Sequence, residues 1–320
     1  GLLGADLRIE NNRYRVDKIL TGERWNPFLT APLAIPGVDV NEGDYILAVN
    51  DIAVDASINI YSLLAETAAE QVTLTVNSRP SNNGSRDVVV EPVRGENQLR
   101  QWDWIEENRR YVAEQTDNRV GYIYLPNTGA GGFTYFNRMF FAQIDKEALI
   151  IDERKNGGGQ AANYITDVLS RQYLASWKDR DGLLFQTPAG ANYGPKVMLI
   201  DQDAGSGGDF LPYSFRHLGL GKLIGKRTWG GLIGISANPN LIDGGNLVVP
   251  FFRFFDTNNQ WTIENQGVAP DIDVDLEPDA VNRGIDTQLD RAISEILQEL
   301  ENYQPIKPQN APPLPNQLGQ

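Results

Sequence analysis

The stretch Lys196-Val-Met-Leu-Ile-Asp-Gln-Asp-Ala-Gly-Ser-Gly-Gly-Asp-Phe-Leu-Pro-Tyr-Ser-Phe215 determines how the second half of the chain folds. Its apolar run, Val197 to Ile200, predicts a buried strand, and a helix is predicted from about Asp209. Ser206 lies between them, and the glycines around it leave room for a substrate and permit a strained backbone. The free N–H groups that begin such a helix favour negative charge beside the serine hydroxyl. These residues alone are typical of a nucleophile turn and equally of a glycine-rich connection, and both interpretations stay open.

The same order of buried strand and helix recurs before this stretch. Strands are predicted at Val120-Gly-Tyr-Ile-Tyr-Leu and Ala148-Leu-Ile-Ile-Asp, and helices at 133–144 and 161–171. This alternation indicates a layered α/β core. Adjacent strands of such a core bring their carboxyl ends, and the loops that follow them, to one edge of the sheet.

A glycine triplet, Gly157 to Gly159, follows one of these predicted strands, so we expect it to face Ser206 at that edge. A serine that attacks an amide creates an oxyanion, which needs two N–H donors aimed at it. The N–H of Gly207 is one candidate donor, and the N–H of Gly158 or Gly159 is the second. A phosphate cradle is the rival interpretation of a glycine triplet, but the Walker spacing is missing.

The composition limits the classes of function. The 320 residues include 42 acidic and 28 basic side chains, and the formal net charge of −14 repels nucleic acid and anionic membranes. No apolar run approaches the ~20 residues that a membrane span needs. Because the chain has no cysteine and one histidine, thiolate and multi-histidine metal sites are excluded, and we expect no cofactor. Soluble substrates or protein partners fit better.

The first stretch, to about residue 95, alternates short strand-like runs with turns and has one helix-like segment, at 59–67. Its segment Pro36-Gly-Val-Asp-Val-Asn-Glu-Gly-Asp-Tyr-Ile-Leu-Ala-Val-Asn-Asp resembles PDZ domains, which bind an extended peptide at a sheet edge and hold its terminal carboxylate in a loop. Gly1-Leu-Leu-Gly is the candidate loop. The tract Trp25-Asn-Pro-Phe-Leu-Thr-Ala-Pro-Leu has no counterpart in ordinary PDZ domains, so we expect an occluded groove. A purely structural β module stays open as the alternative.

The sequence predicts a division into two domains and a tail. The PDZ-like domain covers 1–95, and the second domain covers 96–303 and begins with a bridging helix at about 97–115. A last amphipathic helix is predicted over 283–302. The proline-rich tail, 304–320, is predicted to be disordered.

A general base for Ser206 is missing from these patterns. His217, the only histidine, lies eleven residues after Ser206. If one helix joins the two residues, its rise alone separates them by ~16 Å. A position at a helix end explains this histidine better than a catalytic role. A serine without a base is a poor nucleophile.

Five motifs, in this order, carry a resemblance to a known family. They are Tyr122-Ile-Tyr-Leu, Ile150-Ile-Asp-Glu-Arg-Lys-Asn-Gly-Gly-Gly, Ala204-Gly-Ser-Gly-Gly-Asp, Arg227-Thr-Trp-Gly-Gly and Glu264-Asn-Gln-Gly-Val-Ala-Pro-Asp-Ile. Together with the PDZ-like module they resemble the tail-processing serine peptidases of family S41, and more closely the carboxy-terminal half of the tricorn proteases. The resemblance covers the chain to about Leu300. It implies a mixed α/β fold in which the small β module precedes a ClpP/crotonase-like peptidase domain.

The resemblance implies a serine peptidase mechanism whose base lies outside this chain. In the tail-processing branch the base is a lysine, but Gly231 stands at that position here. In tricorn proteases the base is a histidine before the PDZ domain, and a chain that opens without methionine agrees with a fragment of a longer polypeptide. Ser206 is then the nucleophile, and Glu264 is the acid that completes the array. Gly207 stands where tricorn proteases have aspartate, and its backbone N–H keeps the oxyanion role.

The implied function is a serine endopeptidase or oligopeptidase fragment that cleaves peptides and is weak or inactive alone. Asp179 and Asp181 are the candidates for a preference for basic side chains before the scissile bond. The resemblance also implies homo-oligomers. The expected location is cytoplasmic, or periplasmic if a signal peptide precedes the chain. A catalytically incomplete peptide-binding module stays open as the alternative function.

Overall fold

The computed structural model of the chain describes residues 1–23, 25–237, 240–306 and 311–313. Most of the predicted proline-rich tail therefore lies outside the described residues. The chain divides into two units, Gly1–Asn108 and Arg109–Gln320. The boundary between them falls inside helix 97–115, which the structure has with the predicted bounds, Asn97–Gln115.

The first unit is built around an antiparallel sheet. Its strands are β1 Ala5–Glu10, β2 Arg13–Ile19, β3 Tyr45–Val49, β4 Ile52–Ala53, β5 Val72–Asn77 and β6 Arg86–Val90, its helices are α1 Ile60–Leu63 and the first part of α2 Asn97–Gln115, and two 3-10 turns lie at Pro27–Leu29 and Pro32–Ala34. The strand order is β1-β2-β3-β5-β6, with β4 paired to β3. Alternation along β5 explains the layering, because Val72, Leu74 and Val76 are buried in the core while the threonines between them are half-buried.

The loop that begins this unit, Gly1-Leu-Leu-Gly, is occupied by other residues of the same unit. The N–H of Gly4 donates to Glu96 Oε1 at 2.7 Å, and Glu96 is only 6% exposed. Leu2 and Val93 form an antiparallel β-bridge, in which each N–H donates to the carbonyl of the other residue. A Cβ on Gly4 would lie 2.7 Å from Ala31 Cβ, so the predicted occluding tract packs against this loop. An internal carboxylate therefore already accepts the N–H that a ligand carboxylate would use.

The second unit is built around a parallel sheet. Its strands are β7 Val120–Tyr124, β8 Ala148–Asp152, β9 Ala175–Lys178, β10 Leu184–Thr187, β11 Lys196–Ile200, β12 Gly221–Gly225, β13 Gly234–Ala237, β14 Val248–Phe252 and β15 Ile272–Asp273, and its helices are α3 Ala130–Ala142, α4 Ala162–Leu169, α5 Gly207–His217, α6 Pro278–Val281 and α7 Thr287–Asn302. The order β15-β12-β11-β8-β7 is parallel throughout. The predicted mixed α/β fold, an antiparallel module followed by a layered parallel core, is confirmed.

The register of the parallel strands aligns their carboxyl ends. Val120 of β7 lies opposite Ala148 of β8, and Leu149 of β8 lies opposite Lys196 of β11. All residues of β7, β8 and β11 are buried, as their apolar sequences predict. Helix α7 packs against β8, β11 and β12, and α3 packs against β7. The loops after four neighbouring strands therefore meet at one edge.

Some elements differ from the sequence-based expectations. Helix α5 begins at Gly207, two residues earlier than predicted, and α7 begins at Thr287, where Asp286 caps it by accepting the N–H of Leu289. The hairpins β9–β10 and β13–β14 were not predicted from the sequence. They are short and carry exposed aromatic side chains, so they lack the buried apolar run by which the other strands were recognised. Among the described residues no helix has the length and apolar character needed to cross a membrane.

Candidate active site

Ser206 lies at the turn between β11 and α5, with its backbone in a strained conformation. Its φ is +56° and its ψ is −116°, a region that non-glycine residues rarely adopt. The side chain is partly exposed. Backbone strain of this kind persists only where the surrounding structure fixes the conformation, as it does at many functional turns.

We expect glycine to relieve this strain. The free energy of unfolding of Ser206→Gly should be about 1 kcal/mol higher than that of Ser206→Ala, because alanine keeps the steric cost of the positive φ and glycine does not. Urea unfolding of the two variants measures the difference. Ser170, which caps α4 at φ −90°, is the control position, and there glycine should gain nothing over alanine. Equal stability of the two Ser206 variants would contradict a strained turn.

The glycine triplet contacts Ser206 directly. A Cβ on Gly158 would lie 2.7 Å from Ser206 Cβ and 3.1 Å from its Oγ, and the φ of Gly158 is +82°. The N–H of Gly158 donates to Asn156 Oδ1 at 2.9 Å. The N–H groups of Gly159 and Gly207 have no acceptor among the described residues. The glycine loop and the turn at Ser206 therefore meet as predicted from the strand order, and two of the three candidate donors have no acceptor among the described residues.

The loop after β7 lies behind these glycines. Thr128 donates its N–H to the carbonyl of Gly158, and its carbonyl accepts the N–H of Ala161. Its hydroxyl is buried without a hydrogen-bond partner in the described residues. A Cβ on Gly207 would lie 2.1 Å from Thr128 Oγ1 and 2.3 Å from the Gly159 carbonyl oxygen. Only glycine therefore fits at position 207 in this packing.

Asp209 is the buried acid that the sequence reasoning did not single out. Its Oδ2 accepts the N–H of Ser206 at 2.8 Å and that of Gly231 at 3.0 Å. Its Oδ1 accepts the N–H of Gly230 at 2.8 Å and the hydroxyl of Thr228 at 2.5 Å. Burial raises the pKa of Asp209, while these four donors oppose the shift by stabilising the carboxylate. The serine-to-aspartate spacing of a capping box was the available sequence signal.

Glu264 binds the end of the loop of residues 228–233, whose first part is bound by Asp209. Its Oε2 accepts the N–H of Leu232 at 2.8 Å and that of Ile233 at 2.7 Å. Four consecutive N–H groups, those of residues 230–233, are thus divided between the carboxylates of Asp209 and Glu264. Glu264 reaches the turn of Ser206 through this loop.

The remaining predicted residues lie apart from this arrangement. His217 is the exposed last residue of α5 and stacks on Tyr213, with ring centroids 5.7 Å apart. Asp179 and Asp181 are exposed in the β9–β10 turn, where Asp179 Oδ1 accepts the N–H of Leu183. A Cβ on Gly231 would lie 2.2 Å from the Trp229 ring, so a side chain there requires that ring to move. The described residues contain no group of three or more His, Cys, Asp or Glu able to hold a metal ion.

Two family models match the chain. Residues 1–95 match the family model described as the tricorn protease PDZ domain, and residues 119–274 match the model of peptidase family S41. The chain is 37% identical over 315 residues to tricorn protease homolog 1 of Streptomyces coelicolor, covering 98% of this chain and 29% of that protein. It is 33% identical over 303 residues to the tricorn protease of Thermoplasma volcanium, covering 95% of this chain and 29% of that protein.

A solved structure of the tricorn protease superposes with a TM-score of 0.87 at 33% identity. That match covers 94% of this chain and 29% of the solved chain. A putative tricorn-like protease C-terminal subunit of Sulfurisphaera tokodaii is 36% identical over 303 residues, covering 94% of this chain and 35% of that protein. The chain thus spans about a third or less of the length of these relatives. With a tricorn-type PDZ domain followed by an S41 domain, the chain belongs to peptidase family S41 as a homologue of one portion of the tricorn proteases.

Proposed function

We propose that this chain is the peptide-cleaving portion of a tricorn-like serine peptidase. Ser206 is the nucleophile, and the N–H of Gly207 and an N–H of the glycine triplet stabilise the oxyanion. Because Asn156 engages the N–H of Gly158, Gly159 is the better placed of the two triplet donors. A histidine from a segment outside this chain is the base, and Glu264 orients the polar array.

The strained turn at Ser206 carries the proposal. A serine held at φ +56° against a glycine loop costs stability, and such strain is typical of turns that carry a function. An added base would take the hydroxyl proton as Ser206 attacks the amide carbon, and return it to the leaving amine. Peptide substrates follow from membership of a peptidase family, whereas homo-oligomerisation stays a prediction from the resemblance.

Peptide hydrolysis by a longer polypeptide that includes the upstream segment tests this function. Cleavage of an unstructured peptide library, followed by mass spectrometry, should fall by roughly 10³-fold or more in Ser206→Ala. Ser170→Ala is the control, because within the described part of the chain that hydroxyl makes one hydrogen bond, to the carbonyl of Asp167. Hydrolysis that survives in Ser206→Ala would reject the assignment. A folded longer polypeptide with no hydrolysis would favour the catalytically incomplete peptide-binding module.

The same assay tests the preference for basic side chains. Asp179 folds its own turn, whereas Asp181 is exposed and has no hydrogen-bond or ion-pair partner within the described residues. If this turn sets the preference, Asp181→Asn should lower kcat/KM for cleavage after Lys or Arg about fivefold, since one solvent-accessible ion pair contributes on the order of 1 kcal/mol. Cleavage after apolar residues should not change. Unchanged cleavage after basic residues in Asp179→Ala and Asp181→Ala variants would sink the hypothesis.

A further inference from the structure

Asn156 connects the glycine triplet to the nucleophile turn. Its Oδ1 accepts the N–H of Gly158 at 2.9 Å, and its carbonyl accepts the N–H of Gly205 at 3.0 Å. A Cβ on Gly208 would lie 2.8 Å from the same carbonyl oxygen, so the first turn of α5 also packs on this residue. Asn156 is fully buried. Its position therefore sets the separation between the triplet and the residues on both sides of Ser206.

Glu153 binds the side-chain amide of Asn156. The amide Nδ2 of Asn156 donates to Glu153 Oε2 at 3.2 Å, which turns the amide oxygen toward Gly158. Glu153 is fully buried, and its Oε1 has no hydrogen-bond partner in the described part of the chain. A buried carboxyl group with one unsatisfied oxygen is costly when charged. Glu153 contributes no group to the proposed reaction itself.

The surroundings of Glu153 disfavour its charge. Carboxylates face it from three elements: Asp152 at the end of β8, Asp201 after β11 and Asp209 in α5. Arg154 is already bound to Asp152 and to Asp286, so it compensates those acids. Burial, followed by repulsion from Asp209, Asp201 and Asp152, raises the pKa of Glu153 well above its usual range.

We propose that Glu153 and Asn156 act as a positioning pair, in which an uncharged Glu153 side chain holds the Asn156 amide and the amide fixes Gly158 against Ser206. This proposal rests on the proposed function, because the position it fixes is that of the oxyanion loop. Ionisation of Glu153 would place a fourth negative charge among Asp152, Asp201 and Asp209. The repulsion between these carboxylates would be reduced only if the loop moved or water entered. Gly158 lies in close contact with Ser206, so any movement of the loop changes the distance between them.

The sign of the pH dependence follows. Because the pKa of Glu153 is raised in the folded state, its contribution to stability is complete below the ordinary pKa of glutamate and is lost as pH rises through the folded value. Loop order should decline over the same range. The positioning pair therefore imposes an upper pH limit on the order of the loop, and Glu153→Gln, which stays neutral and keeps an acceptor oxygen, should remove that limit.

Amide hydrogen exchange of this 320-residue chain, followed by NMR across pH, tests the pair without any chemistry at Ser206. After correction for intrinsic exchange, the N–H of Gly158 should exchange about tenfold faster above the Glu153 transition in the wild type. The step should be absent in Glu153→Gln. Glu295→Gln, a change at a buried glutamate of α7 that binds Lys222 and Arg291, should keep the step. In the longer polypeptide, the rate of Ser206 modification by a fluorophosphonate should show the same upper pH limit and lose it in Glu153→Gln.

A second variant separates the two members of the pair. In Asn156→Ala, urea unfolding should still report the loss of stability as Glu153 ionises, whereas exchange at Gly158 should no longer follow it. A Gly158 step that persists in Glu153→Gln, or no step in the wild type, would overturn the proposal. If the step depends on Glu153 but Ser206 never reacts, the positioning pair stands and the peptidase function fails. If Ser206 reacts with no step at Gly158, the function stands and the pair fails.

Discussion

Removing the carboxylate of Asp209 should destabilise the second unit more than any other single change near Ser206. We expect Asp209→Ala to lower the free energy of unfolding by about 3 kcal/mol, because it leaves buried donors from three loop positions and from Ser206 without an acceptor. Asp209→Asn should recover little of this stability. Each carboxylate oxygen of Asp209 accepts two hydrogen bonds, whereas an amide offers only one acceptor oxygen. Urea unfolding at neutral pH measures the loss.

A matched control separates this network from the removal of an aspartate as such. Asp243 is exposed and, among the described residues, accepts one N–H, that of Gly245, so Asp243→Ala should stay within about 1 kcal/mol of the wild type. If Asp209→Ala were as stable as Asp243→Ala, the loop of residues 228–233 would be held by other contacts and the role assigned to Asp209 would be wrong.

The second large effect concerns Glu264 and the reactivity of the site. In the longer polypeptide, Glu264→Ala and Glu264→Gln should both lower kcat/KM for peptide hydrolysis by roughly 10²-fold or more, because the charge that orients the polar array is lost in each. Stability should distinguish the two variants. Alanine leaves the N–H groups of Leu232 and Ile233 without their acceptor and should cost about 1 kcal/mol, whereas glutamine keeps an acceptor oxygen.

The comparison of the two variants tests which role Glu264 has. If Glu264→Gln hydrolyses peptides like the wild type while Glu264→Ala does not, Glu264 only anchors the loop and the orienting role is excluded. Glu277, an exposed residue before α6 whose side chain does not cap that helix, is the control, and Glu277→Ala should leave both readouts unchanged.

Residues that follow buried strands were predictable from the sequence. The uninterrupted apolar runs of β8 and β11 identified two central strands, and parallel order then required the glycine triplet and Ser206 to meet at one edge. The structure brings Gly158 against Ser206 as that argument requires. The bridging helix was predicted with its observed bounds because it carries a long helical pattern with no interruption by glycine or proline.

Residues that act through long-range hydrogen bonds were not predictable. Asp209 accepts N–H groups from positions 230 and 231, and no local pattern shows that this loop returns to α5. Glu96 likewise reaches Gly4 across 92 positions, so the occupation of the PDZ-like loop by an internal carboxylate was invisible in the sequence. Glu264 was assigned by resemblance alone, and its partners in the loop appear only once the chain is folded.

Covalent labelling of Ser206 tests the central claim most directly. The 320-residue chain and the longer polypeptide, each with its Ser206→Ala variant, are treated with a serine-reactive fluorophosphonate, and intact mass followed by peptide mapping locates the adduct. The account predicts one adduct, at Ser206, formed rapidly only in the longer polypeptide, because the proposed base lies in the added segment. An adduct at another serine, or no adduct in either folded form, would contradict it.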